Sequence, residues 1–170
     1  GVGNVFGNIG DAWTTVNLFL QAKPASGLNM GMRTAVNTVL GIGGLFDVAE
    51  EVGLERFTSE DLGQTFGFWG IESGPYLVLP ILGPSSVRDT AGLVVDSAAD
   101  PVGDINNIPN RNSLYTLRAV DTRARLLGAT NVLEGAALDK YSFTRDLYLN
   151  RRQSQVDDMI DKGIGLGDGE

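Results

Sequence analysis

The side chains that carry most protein chemistry are missing from this chain. None of its 170 residues is histidine or cysteine. That excludes Ser-His-Asp and Cys-His nucleophile systems, zinc centres built on those ligands, and thiol redox chemistry. Carboxylates, arginines and glycines remain. Glu50/Glu51, Glu60/Asp61 and Asp157/Asp158 are adjacent pairs, and neighbours on a helix point to different faces and cannot share a proton. Asp96, Asp100 and Asp104 recur every four residues, but Pro101 breaks any single helix through them. Solvated faces and helix starts account for all these acids. No calcium-loop pattern occurs, and no metal or cofactor is implied. Gly41-Ile-Gly-Gly44 invites a phosphate-loop reading, but the dinucleotide pattern needs glycine where Phe46 stands, and the preceding segment has helical periodicity. A turn between two closely packed helices is the plainer reading. Arg88-Asp89 lies just inside a predicted helix start and reads two ways. It is a surface pair worth under about 1 kcal/mol, with Asp89 favoured by the helix dipole, or a polar site beside the apolar segment 75–82.

The elements that must position these groups read as helices. Asp11 is expected to cap a helix over Ala12–Leu20 with Trp13, Val16 and Leu20 on its apolar face. Ser26 should cap a second, Gly27–Leu40, through Leu28, Met32, Val36, Val39 and Leu40, stopped by Gly41. Leu45, Val48, Ala49 and Val52 predict a short helix ended by Gly53. Thr58 with Asp61 has capping-box spacing ahead of Leu62, Phe66 and Trp69. Ser85 or Ser86 caps the next helix, with Val87, Ala91, Val94, Val95 and Ala98 as its apolar face. A helix over Arg111–Leu127 turns Leu114, Leu117, Val120, Ala124 and Leu127 inward. Asn131–Leu138 reads as a short helix, and Ser142 caps a last one running through Leu147, Arg151, Arg152 and Ile160 to about Lys162.

Between these, Gly74-Pro75-Tyr76-Leu77-Val78-Leu79-Pro80-Ile-Leu-Gly83-Pro84 stands apart. Its prolines forbid a helix interior, and a strand is possible only as an unpaired or edge segment. Exposed to water, its apolar side chains would be unfavourable by roughly 25 cal/mol per Å², so it must lie in the core, on a partner or against lipid. No run approaches the ~18 apolar residues of a spanning helix. Acidic residues number 21 against 13 basic, a net charge of −8, which disfavours nucleic acid as a partner. The chain starts at Gly1 with neither a methionine nor a signal peptide and reads as a mature or trimmed product.

Five motifs occur in order: Asn37-Thr-Val-Leu-Gly-Ile-Gly-Gly-Leu-Phe-Asp-Val-Ala49, Glu60-Asp-Leu-Gly-Gln-Thr-Phe-Gly-Phe-Trp-Gly70, Gly74-Pro-Tyr-Leu-Val-Leu-Pro80, Leu82-Gly-Pro-Ser-Ser-Val-Arg-Asp89 and Asp121-Thr-Arg-Ala124. Together they resemble the MlaA (VacJ) family of outer-membrane phospholipid-transport lipoproteins, over about Gly1 to Arg152. The resemblance implies an all-α fold: a compact ring-like helical bundle with a central amphipathic channel, lying in one membrane leaflet, the inner leaflet of the outer membrane. It implies removal of mislocalised phospholipid from the outer leaflet through that channel and its transfer to the periplasmic lipid carrier MlaC, which maintains lipid asymmetry. It also implies association with a trimeric outer-membrane porin, and no enzymatic activity. Carried over by motif, Gly74, Pro75, Tyr76, Leu77, Val78, Leu79 and Pro80 form a hairpin that borders and gates the channel. Arg88 and Asp89 supply a polar group near it that meets headgroups or holds the hairpin. Gly41, Gly43 and Gly44 allow close packing in the ring wall. The domain implied is 1–162, lacking its native N-terminal segment and its lipid-anchored cysteine, with 163–170 a flexible acidic tail. The alternative is a structural porin-binding adaptor that conducts no lipid. A lipid hydrolase lacks His, Cys and a Gly-x-Ser-x-Gly elbow.

Overall fold

A computed structural model describes residues 2–54, 56–80, 82–136 and 139–164, with side chains described at all of these except 2, 122, 125–136 and 158–164. The chain is all-α apart from one β-hairpin among the described residues. Helix α1 (Val2–Leu20) begins well before Asp11, so that residue is not its cap. Gly3, Gly7 and Gly10 weaken intrinsic helix propensity, and the segment is held instead by α2 (Pro24–Val39) packed along it. Pro24 stands in the first turn of α2, where a missing N–H is harmless. Ser26 is therefore inside the helix rather than capping it, and no side chain caps this end. Asp47 accepts from Glu50 N and starts the single turn α3 (Val48–Glu51), far shorter than the Leu45–Val52 expectation.

Asp61, not Thr58, caps α4 (Leu62–Phe68), accepting from Gln64 N at 2.9 Å. The apolar segment that follows is a two-stranded ladder in which both strands are edges, the edge alternative that its prolines left open. Strand β1 (Tyr76–Leu79) runs antiparallel to β2 (Gly83–Ser86), with Tyr76 opposite Ser86 and Val78 opposite Pro84. Ile81 lies outside the described residues. Ser86 caps α5 (Val87–Ala98) as expected, accepting from Asp89 N at 3.2 Å. One helix, α6 (Ile108–Ala136), replaces the two predicted over 111–138. Asp139, not Ser142, starts α7 (Lys140–Ile164), since its carboxylate accepts from the backbone N–H of both Tyr141 and Ser142. The expected tail 163–170 begins inside α7, and residues 165–170 lie outside the described residues. Helix α4 packs between α5 and α7, and α5 and α7 both touch β2.

The largest correction concerns which faces turn inward. The helix periodicities are those of the sequence, but on helix after helix the apolar stripe faces out. Leu28 is 60% exposed, Val39 76%, Val94 65% and Val120 60%. Val16, Leu20, Met32, Leu40, Val87, Ala91, Val95, Ala98, Leu117, Ala124 and Leu147 are exposed too. The buried set is instead mainly polar: Asn8, Asp11, Thr14, Asn17 and Gln21 of α1, Arg33 and Asn37 of α2, Gln64 and Thr65 of α4, then Ser85, Ser86, Arg88 and Asp89. Leu18, Met30, Ala49, Leu62, Val102 and Val156 are the buried apolar side chains. Hydrophobic periodicity reports that a helix has two faces, while the solvent decides which one is covered. An exterior this apolar is unfavourable in water by roughly 25 cal/mol per Å² and favourable against hydrocarbon.

Candidate functional site

The polar interior is organised as ion-pair networks. In the first, Asp89 sits in the first turn of α5 and is buried. Its Oδ1 accepts from Arg88 Nε at 3.1 Å and Arg152 Nη2 at 3.0 Å. Its Oδ2 accepts from the Tyr148 hydroxyl at 2.7 Å and Arg152 Nε at 3.0 Å. Arg152, on α7, also forks onto both carboxylate oxygens of Asp61 at 2.8 Å. One guanidinium thus ties the α4 cap to the α5 start and fastens α7 across both. Burial pushes the Asp89 carboxyl up, but the Arg152 guanidinium, the Tyr148 hydroxyl and Arg88 outweigh it and hold its pKa at about 2. Asp61 is likewise held down by Arg152 against its own burial. The Tyr148 hydroxyl is pushed up by burial and by Asp89. Arg88 Nη1 donates to Ile71 O at 3.4 Å, and Arg88 Nη2 is buried without a hydrogen-bond partner.

A second network joins α1, α2 and α3. Arg33, buried, pairs with Asp11 at 3.4 Å and with Asp47, and donates to Leu54 O at 2.7 Å. Arg56 closes on Asp11 through contacts of 3.0 and 3.1 Å. Asn37 donates to Asp47 at 3.0 Å and accepts from Ala49 N at 2.9 Å. The Gly41–Gly44 turn wraps this network. Gly43 and Gly44 have positive φ, and a Cβ on Gly44 would stand 2.8 Å from Asn8 Cβ of α1. Between the networks, Thr65 donates to Asn17 at 2.7 Å and accepts from Gln21 at 2.9 Å. Trp13 Nε1 donates to Asp96 at 2.7 Å, and burial pushes the Asp96 carboxyl up. The expectation that solvated faces and helix starts account for the adjacent and four-spaced acids fails for Glu60, which is buried, and for Asp96, half-buried against Trp13; it holds for Asp61, the α4 cap, and for exposed Glu50, Glu51, Asp104 and Asp157.

Two of the cavities among the described residues lie beside this interior. One, of about 570 Å³, is walled by Ile9, Trp13, Val16, Leu93 and Pro101 with Asp96 among them. Another, of about 500 Å³, lies where the α1–α2 turn faces α7, and Lys23, Phe57, Glu60, Gln64, Arg151 and Gln155 line it. Neither is lined by residues 74–80.

The hairpin is geometrically real. Tyr76 packs its ring edge-on to Tyr141 at 5.9 Å and near Tyr148 at 6.1 Å, which sets its base on α7. Leu77 and Leu79 are half-buried, while Gly74, Pro75, Val78 and Pro80 are exposed. Arg88 and Asp89 come together at that base, and both Asp89 oxygens are filled by donors of the chain itself. The sequence reading missed Arg152, expected only on the run of the last helix. It also missed Gly63, Gly67 and Gly92, where helices meet most closely. A Cβ on Gly92 would stand 2.4 Å from Gly63 N, and one on Gly67 would stand 2.6 Å from Val156 Cγ2. Gly63-x-x-x-Gly67 is the small-residue spacing that lets helix backbones approach, and that signal was available. Nothing local marks Arg152 as central.

Comparison with known proteins agrees with this architecture. The family model described as MlaA lipoprotein matches residues 1–155. The intermembrane phospholipid transport system lipoprotein MlaA of Escherichia coli (strain K12) is 35% identical over 153 residues, covering 89% of this chain and 60% of that protein. The protein of the same name from Haemophilus influenzae is 30% identical over 160 residues, covering 93% of this chain and 64% of that one. The chain thus spans about 60% of the length of the curated relatives it matches. A solved structure described as the structural basis for maintenance of bacterial outer membrane lipid asymmetry superposes with a TM-score of 0.76 at 29% identity, over 92% of this chain and 78% of its own.

Proposed function

The chain belongs to the MlaA lipoprotein family, and from that premise we propose that it is a phospholipid-transport component of the bacterial outer membrane. The observation that carries the reading is the inversion: polar and charged side chains fill the interior while large apolar ones cover the outside. Such a body is solvated by acyl chains around its rim. Among the described residues no helix is long and apolar enough to cross a membrane, so it lies within one leaflet, held by amphipathic helices rather than by spans. Its polar interior offers a path for headgroups, and the apolar walls around Trp13 and Leu93 offer one for tails. On this reading the ring surrounds a channel that takes stray phospholipid from the outer leaflet and hands it to the periplasmic carrier MlaC, beside a trimeric porin. The lipid only changes place, so no bond-breaking residue is needed. Direction comes from linked binding equilibria.

A second reading rests on the hairpin. Val78 is 60% and Leu82 66% exposed, and residues 74–80 line neither large cavity, which suits a porin-facing contact as well as a channel lip. Crosslinking separates the two. Because the chain has no cysteine, a photoreactive label on a single introduced cysteine reports one position. Labels at Val94 and Leu79 are expected to yield phospholipid adducts in outer membranes, read by intact mass, and a label at exposed Gln153 none. A porin adduct without lipid at Leu79 would assign the hairpin to the adaptor role. Absence of lipid adducts at Val94 would overturn the membrane reading.

A further inference from the structure

The 570 Å³ cavity beside Trp13 has a neighbour. A cavity of about 400 Å³ lies between the start of α1 and α6, next to the α5–α6 connection. Ile9 and Pro101 line both cavities, so the two share a wall. Every residue lining the second is apolar, Phe6, Ile105 and Leu114 among them. Water needs about two to four polar partners to occupy a cavity, and these side chains offer none, so the space suits an apolar guest. Both volumes fall inside the size range of small-ligand sites. One polar group spans the pair. Arg118, on α6, lines the first cavity and lays its guanidinium over the Phe6 ring of the second, 5.2 Å from the centroid. Its Nη1 donates to Asp100, which also lines the first cavity. Asp100 answers the charge, so this edge calls for no further anion, while a guanidinium's N–H fork suits a neutral carbonyl oxygen.

We propose that the two cavities are paired acyl-chain slots: one diacyl glycerophospholipid straddles the Ile9–Pro101 wall with a chain in each and its ester carbonyls toward Arg118. The inference rests on the lipid-transport reading, which gives tails the first cavity, and adds that the lipid is recognised by having two chains. Two adjoining apolar slots that meet at one polar edge match a molecule whose two chains leave one glycerol. A one-chain lipid leaves a slot empty, and an empty slot forfeits the contacts of its lining atoms.

The test is native mass spectrometry of the full chain in detergent, with phosphatidylethanolamine and its one-chain lyso form, of identical acyl chain, at equal concentration. The readout is the ratio of bound two-chain to one-chain lipid in a variant relative to wild type, so that partition into detergent cancels. Wild type is expected to hold one two-chain lipid per protein. Leu114→Trp, on α6, and Ile105→Trp, on the α5–α6 connection, each fill the second cavity. Each should lower the ratio about tenfold, the scale of excluding roughly two buried methylenes, and should still hold the one-chain lipid. Leu93→Trp should do the same from the first cavity. Gln153→Trp, exposed on α7, should leave the ratio unchanged. A ratio unchanged by Leu114→Trp and Ile105→Trp overturns the proposal and leaves the transport reading standing. Two one-chain lipids held as readily as one two-chain lipid would show that the slots fill independently, and would also overturn it. Retention of neither lipid by wild type overturns the transport reading itself.

Discussion

Replacing Asp89 by asparagine keeps the side-chain shape and removes one charge from the junction of α4, α5, β2 and α7. Four donor contacts converge on that carboxylate, from Arg88, Tyr148 and two nitrogens of Arg152. Asparagine presents an amide N–H to donors and leaves buried Arg88 without its anion. Breaking a buried pair from one side typically costs about 3–5 kcal/mol. A second route gives a floor. Asp89 is held at about 2 against an ordinary 3.8, and a unit of pKa is worth about 1.4 kcal/mol, so the folded protein gains about 2 kcal/mol from its ionisation. The sign follows from the direction. A lowered folded pKa contributes stability that is complete above the ordinary value and is lost as pH falls through 3.8 to about 2. The assay is denaturant unfolding in a fixed detergent, followed by the fluorescence of Trp13 and Trp69, at neutral pH and down an acid series. Asp89→Asn should lower stability by about 3 kcal/mol at neutral pH, on the order of 10 °C in melting temperature for a domain of this size. It should also lack the part of the acid loss that belongs to Asp89, so the two proteins converge toward pH 2. Unfolding within about 0.5 kcal/mol of wild type, the range of ordinary surface changes, with an unchanged acid slope, would refute the claim that this carboxylate clamps the hairpin base.

Three further outcomes test the close helix contact and the outward face. Gly92→Ala should destabilise by about 2 kcal/mol or more, because its Cβ would meet the backbone of Gly63 at 2.4 Å. Gly10→Ala, with nothing within 4 Å, should stabilise by up to about 1 kcal/mol in the same unfolding assay. Paired lysines at exposed Val94 and Val95 should leave unfolding in detergent nearly unchanged and sharply reduce co-flotation with phospholipid vesicles. Unchanged flotation would mean that this face of α5 is not the one in contact with lipid.

Much of this protein was legible before any coordinates. The periodicities marked helices, Ser86 was recognisable as a cap, and the proline-bounded segment 74–84 announced an element that no helix interior could absorb. These are local signals, set by φ restriction, missing donors and capping within a turn. The ordered motifs identified the family, and with it a reason for an apolar exterior. Glu60 and Asp96 were misread as solvated because an acid looks the same in sequence whether water or the interior faces it, and Asp11 was taken for a cap because nothing local shows that α1 begins at Val2. Arg152 meets Asp61 and Asp89 only because α7 folds back across α4 and α5, a partnership with no spacing to betray it. The amphipathic stripes were found, but the one given a direction, on α6, was turned the wrong way: Val120 faces out, as do Val39 and Val94 on their helices, while Asn17, Arg33 and Gln64 face in. Periodicity is blind to that choice because it measures only the contrast between two faces. The tertiary structure makes it, since the interior is where ion pairs satisfy one another across helices and the exterior is left to whatever solvent favours apolar surface.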